Sequence, residues 1–462
     1  MTPEAYRETV EAALASGWVF AGLHAAEQGR TVRALLVSPD GECRLESISA
    51  TDGRVPTLVD LARAAGWDER EAHDLYGVAF DGHTPLRPLL DHAAPLADWT
   101  VRVTGDDAHQ VAVGPVHAGV IESGHFRFHV VGDRILLLDA RLGYKHRGLE
   151  RRAEGLELGA GLAVVARACG ACWVTNAVSY AHACEEALGL APTPELARAR
   201  TILLELERLW SHLNDIAAIC AGVGLAAGTQ RFLALVEDAR RLNERLTGHR
   251  LLFGSVAVGG SELELAEADV SASREVLERI RGESSSAWRE LLFNASFMDR
   301  MPEIGVVTTE AAAELGVVGP AARAAGLGED VRATSPRLAY EGFVPAMLRR
   351  LEGDVQARLE QRALEVIPCL DILDRLLDRP IARAEAAPGA AEAAIGVGRV
   401  ESPRGATSCV VERNGNRIER VRLRTGSYAN WPAVTHAAAG NLLPDFPLIN
   451  KSFELCYACA DR

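Results

Sequence analysis

The sequence predicts an α+β protein: a small N-terminal α+β domain, then a larger, mainly α-helical domain with small β-sheets. Three observations carry this prediction. The 462 residues exceed what one ordinary core organises and suit two or three domains. Strand-like runs mark the first part of the chain, whereas helical periodicity dominates most of the remainder. Between the two lies a Pro- and Asp-bearing stretch, His92 to Asp107, that reads as a linker and sets the domains at residues 1–100 and 108–462.

In the first domain a helix-like start, Pro3 to Ser16, leads to strand-like runs over Thr31–Val37 and Cys43–Ile48. A helix is expected around Leu58–Ala65, followed by Trp67–His92, dense in charge and turn residues. The second domain opens with alternation over His125–Val130 and Arg134–Ala140. Leu196, Leu203, Leu206, Leu213 and Ile216 then recur at spacings of three and seven, which is one apolar face of a long helix. Further helices are expected over Val236–Leu251, Ser271–Leu292 and Val344–Leu377. Ala382–Ala394 reads as a linker or surface loop because it holds Pro388 and Gly389. Strands follow at Ile395–Val400, Cys409–Arg413 and Arg417–Arg424, with Asn414-Gly415-Asn416 as a hairpin turn.

Apolar residues make up 48% and charged residues 24%, ordinary for a globular protein with a sizeable core. The formal net charge of -14 disfavours nucleic acid as a partner and favours solubility. The N-terminal segment carries acidic residues and lacks the basic-then-apolar pattern of a secretory signal. The longest uncharged run, Thr425–Pro444, is broken by prolines, asparagines and a histidine, a poor match to the ~20 apolar residues a membrane span requires.

Nine cysteines, an odd number at low density, do not form a disulfide framework, and a reducing compartment keeps such thiols free for metal. Two Cys-x-x-Cys pairs stand out: Cys169 and Cys172 in RACGAC, and Cys456 and Cys459 in LCYACADR. Four soft thiolates suit zinc, an iron–sulfur cluster or another thiophilic metal, and absence of metal is the remaining reading. Zinc fingers and ribbons bring their pairs close together in sequence, so the wide separation here places any metal inside a large preformed domain. The first pair precedes a helix-like run, WVTNAVSYAHACEEAL, whose N-terminal dipole favours a thiolate. Cys43, Cys184, Cys220, Cys369 and Cys409 are isolated and read as small buried apolar residues.

These motifs resemble the two metal-binding motifs of nickel–iron hydrogenase large subunits. DFPLINKSFELCYACADR, Asp445–Arg462, is similar to the membrane-associated, energy-converting hydrogenases related to respiratory complex I. GPVHAGVIESGHFRFHV (Gly114–Val130), YKHRGLE (Tyr144–Glu150), ERLWSHLND (Glu207–Asp215), GVVGPAARAAG (Gly316–Gly326) and GDVQAR (Gly353–Arg358) match that group in order. WDEREAHDLYGVAF is similar to the smaller complex I subunit, of 30 kDa type, that this group often carries fused at its N-terminus. The homologous 49 kDa complex I subunit lacks the four cysteines, so they are the discriminating feature.

The resemblance implies a catalytic subunit that interconverts dihydrogen with protons and electrons. Nickel would take Cys169, Cys172, Cys456 and Cys459, with Cys172 and Cys459 bridging to an iron that carries carbon monoxide and cyanide. Arg404, in ESPRG, would lie over the metals, with Pro403 packed beside it and Asp215 hydrogen-bonded to it; outside this context Pro-Arg-Gly reads as a surface turn. Glu122 would relay protons from a terminal cysteine, its pKa raised by burial, and His117 would either join that route or be a satisfied core histidine. Glu150 would sit near a structural magnesium or iron ion, or else pair with Arg147, Arg151 or Arg152. The resemblance also implies an iron–sulfur small subunit of complex I 20 kDa type, a ferredoxin-like subunit and membrane-arm subunits. They would hold the chain on the cytoplasmic face of the cell membrane. A complex I-like electron-transfer scaffold with structural zinc or another non-hydrogenase metal is the alternative.

Two departures stand out. Glu454-Leu455 replaces the usual Asp-Pro before the last pair, and Arg462 stands where many hydrogenases have a histidine. The family's precursors often carry a C-terminal tail, and Arg462 falls at its usual cleavage point.

Overall fold

Thr2 starts the first helix: its hydroxyl accepts from the Ala5 N–H and Pro3 opens the first turn, giving α1, Pro3–Ala15. A three-stranded antiparallel sheet follows in the order β1 (Val19–Ala26), β2 (Thr31–Val37), β3 (Cys43–Ser49). Its core is Tyr6, Val10, Leu23, Val32, Leu36 and Ile48. In this computed structural model the described residues are 2–101, 103–105, 107–118, 121–348 and 352–462. Parts of the expected His92–Asp107 linker, the Gly114–Val130 motif and the Val344–Leu377 helix therefore lie outside the described residues.

The helix expected at Leu58–Ala65 is displaced. Residues 58–64 form turns, and α2 runs over Ala65–Tyr76, inside the charge-dense stretch. The reason is tertiary. Asp68, Glu69 and Glu71 on α2 are buried, so its acids occupy the face that apolar residues usually fill.

Beyond residue 107, β4 (Ala108–Val113), β5 (His125–Val131) and β6 (Arg134–Arg141) make a second antiparallel sheet. Helices then dominate: α3 (Trp173–Ala187), α4 (Pro194–Val223), α5 (Ala226–Thr247), α6 (Glu267–Leu292) and α7 (Val355–Leu376). α4, with Thr193 as N-cap and Gly224 as its left-handed C-terminus, buries residues on every face, as befits a central helix. α5 starts ten residues before the expected Val236, and α7 begins only at Val355, capped by Asp354.

A third sheet, β7 (Ile395–Ser402), β8 (Gly405–Asn414) and β9 (Arg417–Arg424), packs under α3. Glycine is required here: a Cβ at Gly398 would lie 1.9 Å from the Ser179 carbonyl oxygen, and one at Gly396 2.0 Å from that of Ala183. Part of Ala382–Ala394, expected as a loop, is instead a strand, Ala384–Pro388, paired with Leu190–Pro192. The chain closes with α8 (Gly426–Ala438), α9 (Phe446–Phe453) and α10 (Tyr457–Asp461).

The first sheet packs on the third through Ala21, Leu35, Val37 and Val410. Glu412 of β8 joins them by accepting from Arg33 Nε at 2.9 Å and Nη2 at 3.0 Å, and it lies 3.1 Å from His24 Nε2. Among the described residues no helix is long and apolar enough to cross a membrane.

Candidate metal centre

Both cysteine pairs sit where short turns meet helix N-termini. Cys169 ends a single 3-10 turn, Ala166–Ala168, and Cys172 is the residue before α3. Cys456 is the residue before α10 and Cys459 lies within it. The peptide dipoles of α3 therefore point their positive end at Cys172. Glu207, buried on α4, fixes that end by accepting from the Val174 N–H (2.7 Å), the Thr175 N–H (3.1 Å) and the Thr175 hydroxyl (2.6 Å). Burial pushes the Glu207 carboxyl up to about 7.

The four thiols converge. Cys169 and Cys456 Sγ are 3.1 Å apart, and those of Cys169, Cys456 and Cys459 all lie within 4.8 Å of one another. Cys172 packs in the same buried cluster, against Cys169 and Cys459. Every cysteine is free, and 3.1 Å is far beyond the ~2.05 Å of a disulfide. Cys172 is drawn down to about 6, chiefly by the Cys169 and Cys459 thiols and further by Arg404. Cys456 is pushed up to about 12, chiefly by its hydrogen bond with Cys169. A lowered Cys172 beside raised Cys456 and Cys459 thiols is what clustered ligands show without a cation, and a soft metal ion would release those protons. The donor set therefore fits the nickel–iron group that the motifs imply. It also fits zinc.

The turn between β7 and β8 delivers Arg404. Ser402 Oγ donates to the Gly405 carbonyl at 2.8 Å and accepts from the Arg404 N–H at 3.0 Å, while Pro403 is buried in the same turn. The Arg404 guanidinium is buried, donating to Asp215 Oδ1 at 2.9 Å, to the Glu454 carbonyl at 3.0 Å and to Ser211 Oγ. Burial opposes its charge, but Asp215, Cys172, Glu454 and Cys169 outweigh that and hold it ionised. Asp215, fully buried, accepts with its other oxygen from Arg362 Nε at 3.1 Å. The sequence-derived group of Arg404, Asp215 and four cysteines is thus one constellation.

Glu122 reaches it from the other side. Its Oε2 accepts from the Ala458 N–H at 2.9 Å, and it lines a cavity of about 190 Å³ with Lys451, Glu454, Cys456 and Tyr457. The expected burial is absent: the side chain is 39% exposed, with Lys145 Nζ at 3.6 Å, because this cavity opens to the surface. His117 donates from Nε2 to the Gly124 carbonyl at 2.7 Å and packs on Phe126, closing its own loop. Larger cavities, of about 400 and 500 Å³, lie between the first sheet and residues 317–334, away from the cysteines.

Glu150 differs most from expectation. It pairs with none of Arg147, Arg151 or Arg152. Oε1 accepts from Arg462 Nη1 at 3.1 Å and from the Leu423 N–H at 3.0 Å, and Oε2 from Arg420 Nη2 at 3.1 Å. Guanidinium groups occupy the cation position, so the structural magnesium or iron ion has no vacant carboxylate here.

Sequence reasoning missed Glu207, Ser211, Arg362 and the Glu454 carbonyl. Ser211 and Glu207 were within reach, since both lie in the ERLWSHLND segment on the same helix as Asp215. Glu454 adopts a left-handed φ of 47°, and its carboxyl is pushed up to about 7 by burial and then by Asp215.

The chain matches the family of the respiratory-chain NADH dehydrogenase 49 kDa subunit over residues 223–388 and 387–462, and that of the 30 kDa subunit over residues 12–100. It is 31% identical to formate hydrogenlyase subunit 5 of Escherichia coli, covering 90% of this chain and 78% of that protein. It is 29% identical to hydrogenase-4 component G of the same organism, covering 90% and 77%. It superposes with a TM-score of 0.70 at 26% identity on a chain of the membrane-bound sulfane sulfur reductase, an archaeal respiratory membrane complex, covering 78% of this chain and all of that one. The chain therefore belongs to the complex I 49 kDa family, as a fused 30 kDa and 49 kDa protein of the nickel–iron hydrogenase large-subunit group that holds formate hydrogenlyase subunit 5 and hydrogenase-4 component G.

Proposed function

We propose that this chain is the catalytic subunit of a nickel–iron hydrogenase, interconverting dihydrogen with two protons and two electrons. The observation that carries the reading is the convergence of Cys169, Cys172, Cys456 and Cys459 beside the buried, Asp215-anchored guanidinium of Arg404. Nickel and an iron with carbon monoxide and cyanide, held by these thiolates, would supply heterolytic cleavage and formation of dihydrogen.

The protein's part follows from its own residues. Arg404 offers a fixed positive charge that needs no reorganisation, because three acceptors hold it. Pro403 and Ser402 keep the turn that delivers it. Glu122 takes the proton from the Cys456 side of the cavity, and Oε1 beside Lys145 passes it toward solvent. Electrons leave to, or arrive from, an iron–sulfur small subunit, since the other cysteines stand singly. A ferredoxin-like subunit and membrane-arm subunits complete the assembly on the cytoplasmic face of the membrane. Residues 1–100 and 108–462 are its two domains.

A second reading has one observation in its favour: a cluster of four cysteines, three with thiols within 4.8 Å of one another, also suits tetrahedral zinc in an electron-transfer scaffold. An infrared spectrum of protein purified anaerobically from its own cells separates the two. Bands of iron-bound carbon monoxide and cyanide are expected. Their absence from protein carrying one zinc would overturn the hydrogenase reading.

A further inference from the structure

The segment bearing Cys456 and Cys459 ends in a five-residue helix, Tyr457–Asp461, too short to be stable by itself. What holds it lies mostly outside the metal centre. The Asp461 carboxylate accepts from the N–H groups of Gly143 (2.8 Å) and Lys145 (2.9 Å), and the Arg462 carbonyl accepts from the Arg147 N–H at 2.7 Å. The Arg462 side chain then enters a buried acidic socket. Its guanidinium donates to Glu150 and to the Leu423 carbonyl, lies 4.5 Å from the Tyr428 ring centre, and donates through Nη2 to Glu71.

Glu71 comes from α2, in the N-terminal domain, and it is not alone there. Its other oxygen accepts from Arg422, whose Nη2 donates to Asp68 Oδ1 at 2.9 Å; Asp68 Oδ2 accepts from Arg424 Nε at 3.0 Å. All these side chains are buried. Removing one charge from such a network leaves its partner unpaired, so the socket is sensitive to the loss of a single carboxylate.

We propose that Glu71 is a positioning residue for the metal centre: through Arg462 it fixes the strap that carries Cys456 and Cys459. The N-terminal domain is thus part of the mount of the centre, and Arg462 does mechanically what a bridging cation would otherwise do at Glu150. The proposal rests on the reading of the four cysteines as metal ligands, but its test does not require the loaded enzyme.

The full-length chain, produced without metal insertion, is alkylated with iodoacetamide, and each cysteine is followed by mass spectrometry. Glu71→Gln is expected to speed labelling of Cys459 about tenfold, as local opening of the strap predicts, and to leave Cys43 unchanged. Arg462→Gln should do the same, and the double variant should be no faster than either single one. Glu412→Gln cuts a different contact between the first and third sheets and should leave Cys459 at the wild-type rate. Cys459 labelling within about twofold of wild type in both single variants, or equal acceleration by Glu412→Gln, would overturn the proposal. In the enzyme purified from its own cells, Glu71→Gln should also shift or split the carbon monoxide band. Failure of the hydrogenase reading would appear as missing bands in the wild type, whereas the labelling comparison would still decide the role of Glu71.

Discussion

Replacing Asp215 by asparagine tests how the centre is held together. Asp215 is fully buried and its two oxygens accept from Arg404 Nη2 at 2.9 Å and Arg362 Nε at 3.1 Å. Asparagine preserves the volume but removes the charge that offsets two buried guanidinium groups, and its NH2 group sets a donor against a donor. Breaking one side of a buried ion pair costs about 3–5 kcal/mol. With an unfolding entropy of about 2.1 cal/mol/K per residue, a chain of 462 residues loses about 1 kcal/mol per degree, so Tm should fall by about 3–5 °C. The second effect is local. Arg404 keeps Ser211 and the Glu454 carbonyl as acceptors but loses its ionic anchor, so hydrogen turnover should fall by about 100-fold or more, the usual cost of disturbing one preorganised charge. Differential scanning calorimetry and a hydrogen-uptake assay on the same anaerobic preparation read both effects. Unchanged Tm together with activity within about threefold of wild type would refute the reasoning.

Two further outcomes follow from the buried charges. Burial alone would raise the Glu412 carboxyl, but hydrogen bonds from His24 and Arg33 outweigh it and draw it down to about 2 from an ordinary 4.5. A depressed carboxylate stabilises above its unfolded value and loses that contribution as pH falls through the folded one. Acidification from about pH 5 to pH 2 should therefore remove about 3 kcal/mol from the packing of the first sheet on the third, read as new proteolysis between residues 92 and 107, and Glu412→Gln should abolish this pH dependence. Chelation gives the other outcome. Because Arg420 and Arg462 fill the Glu150 site, adding magnesium to EDTA-treated protein should leave Tm unchanged, and a rise in Tm with magnesium would restore a structural cation to that position.

Much of the architecture was legible because local pattern and tertiary role agreed. The leucine periodicity within Pro194–Val223, the alternation of His125–Val130 and the Asn414-Gly415-Asn416 turn each point the way the fold uses them. Spacing marked the two cysteine pairs, whereas Arg404 and Asp215 were singled out only by the resemblance; the fold brings these residues together. Where reading failed, charge was being buried. Trp67–His92 reads only as dense in charge and turn residues, yet Asp68, Glu69 and Glu71 turn inward to meet Arg422, Arg424, Arg462 and His83. Glu150 sits beside three arginines in sequence but pairs with others from β9 and the final helix segment, a choice made only by the tertiary fold. Glu122 was misjudged in the opposite sense, since the opening of its cavity leaves it partly in solvent.

The same buried charges bear on what the four thiols are for. A closed zinc site is complete with its ligands and gains little from a guanidinium buried beside them. Burying an arginine costs several kcal/mol unless an acid and further acceptors surround it. Here that cost is met by Asp215, which must in turn be shared with Arg362 of another helix, by Ser211 one turn away from Asp215, and by the Glu454 carbonyl from a separate element. Glu454 makes its carbonyl available in a left-handed conformation that a non-glycine residue adopts at some expense. Such an arrangement is stable only because the surrounding fold over-determines it, and a scaffold selected for stability alone would favour apolar packing at the same place. A reaction in which charge develops beside the thiolates gives the guanidinium its use. Zinc accounts for the cysteines alone; hydrogen cleavage accounts for the cysteines, Arg404 and Asp215 together.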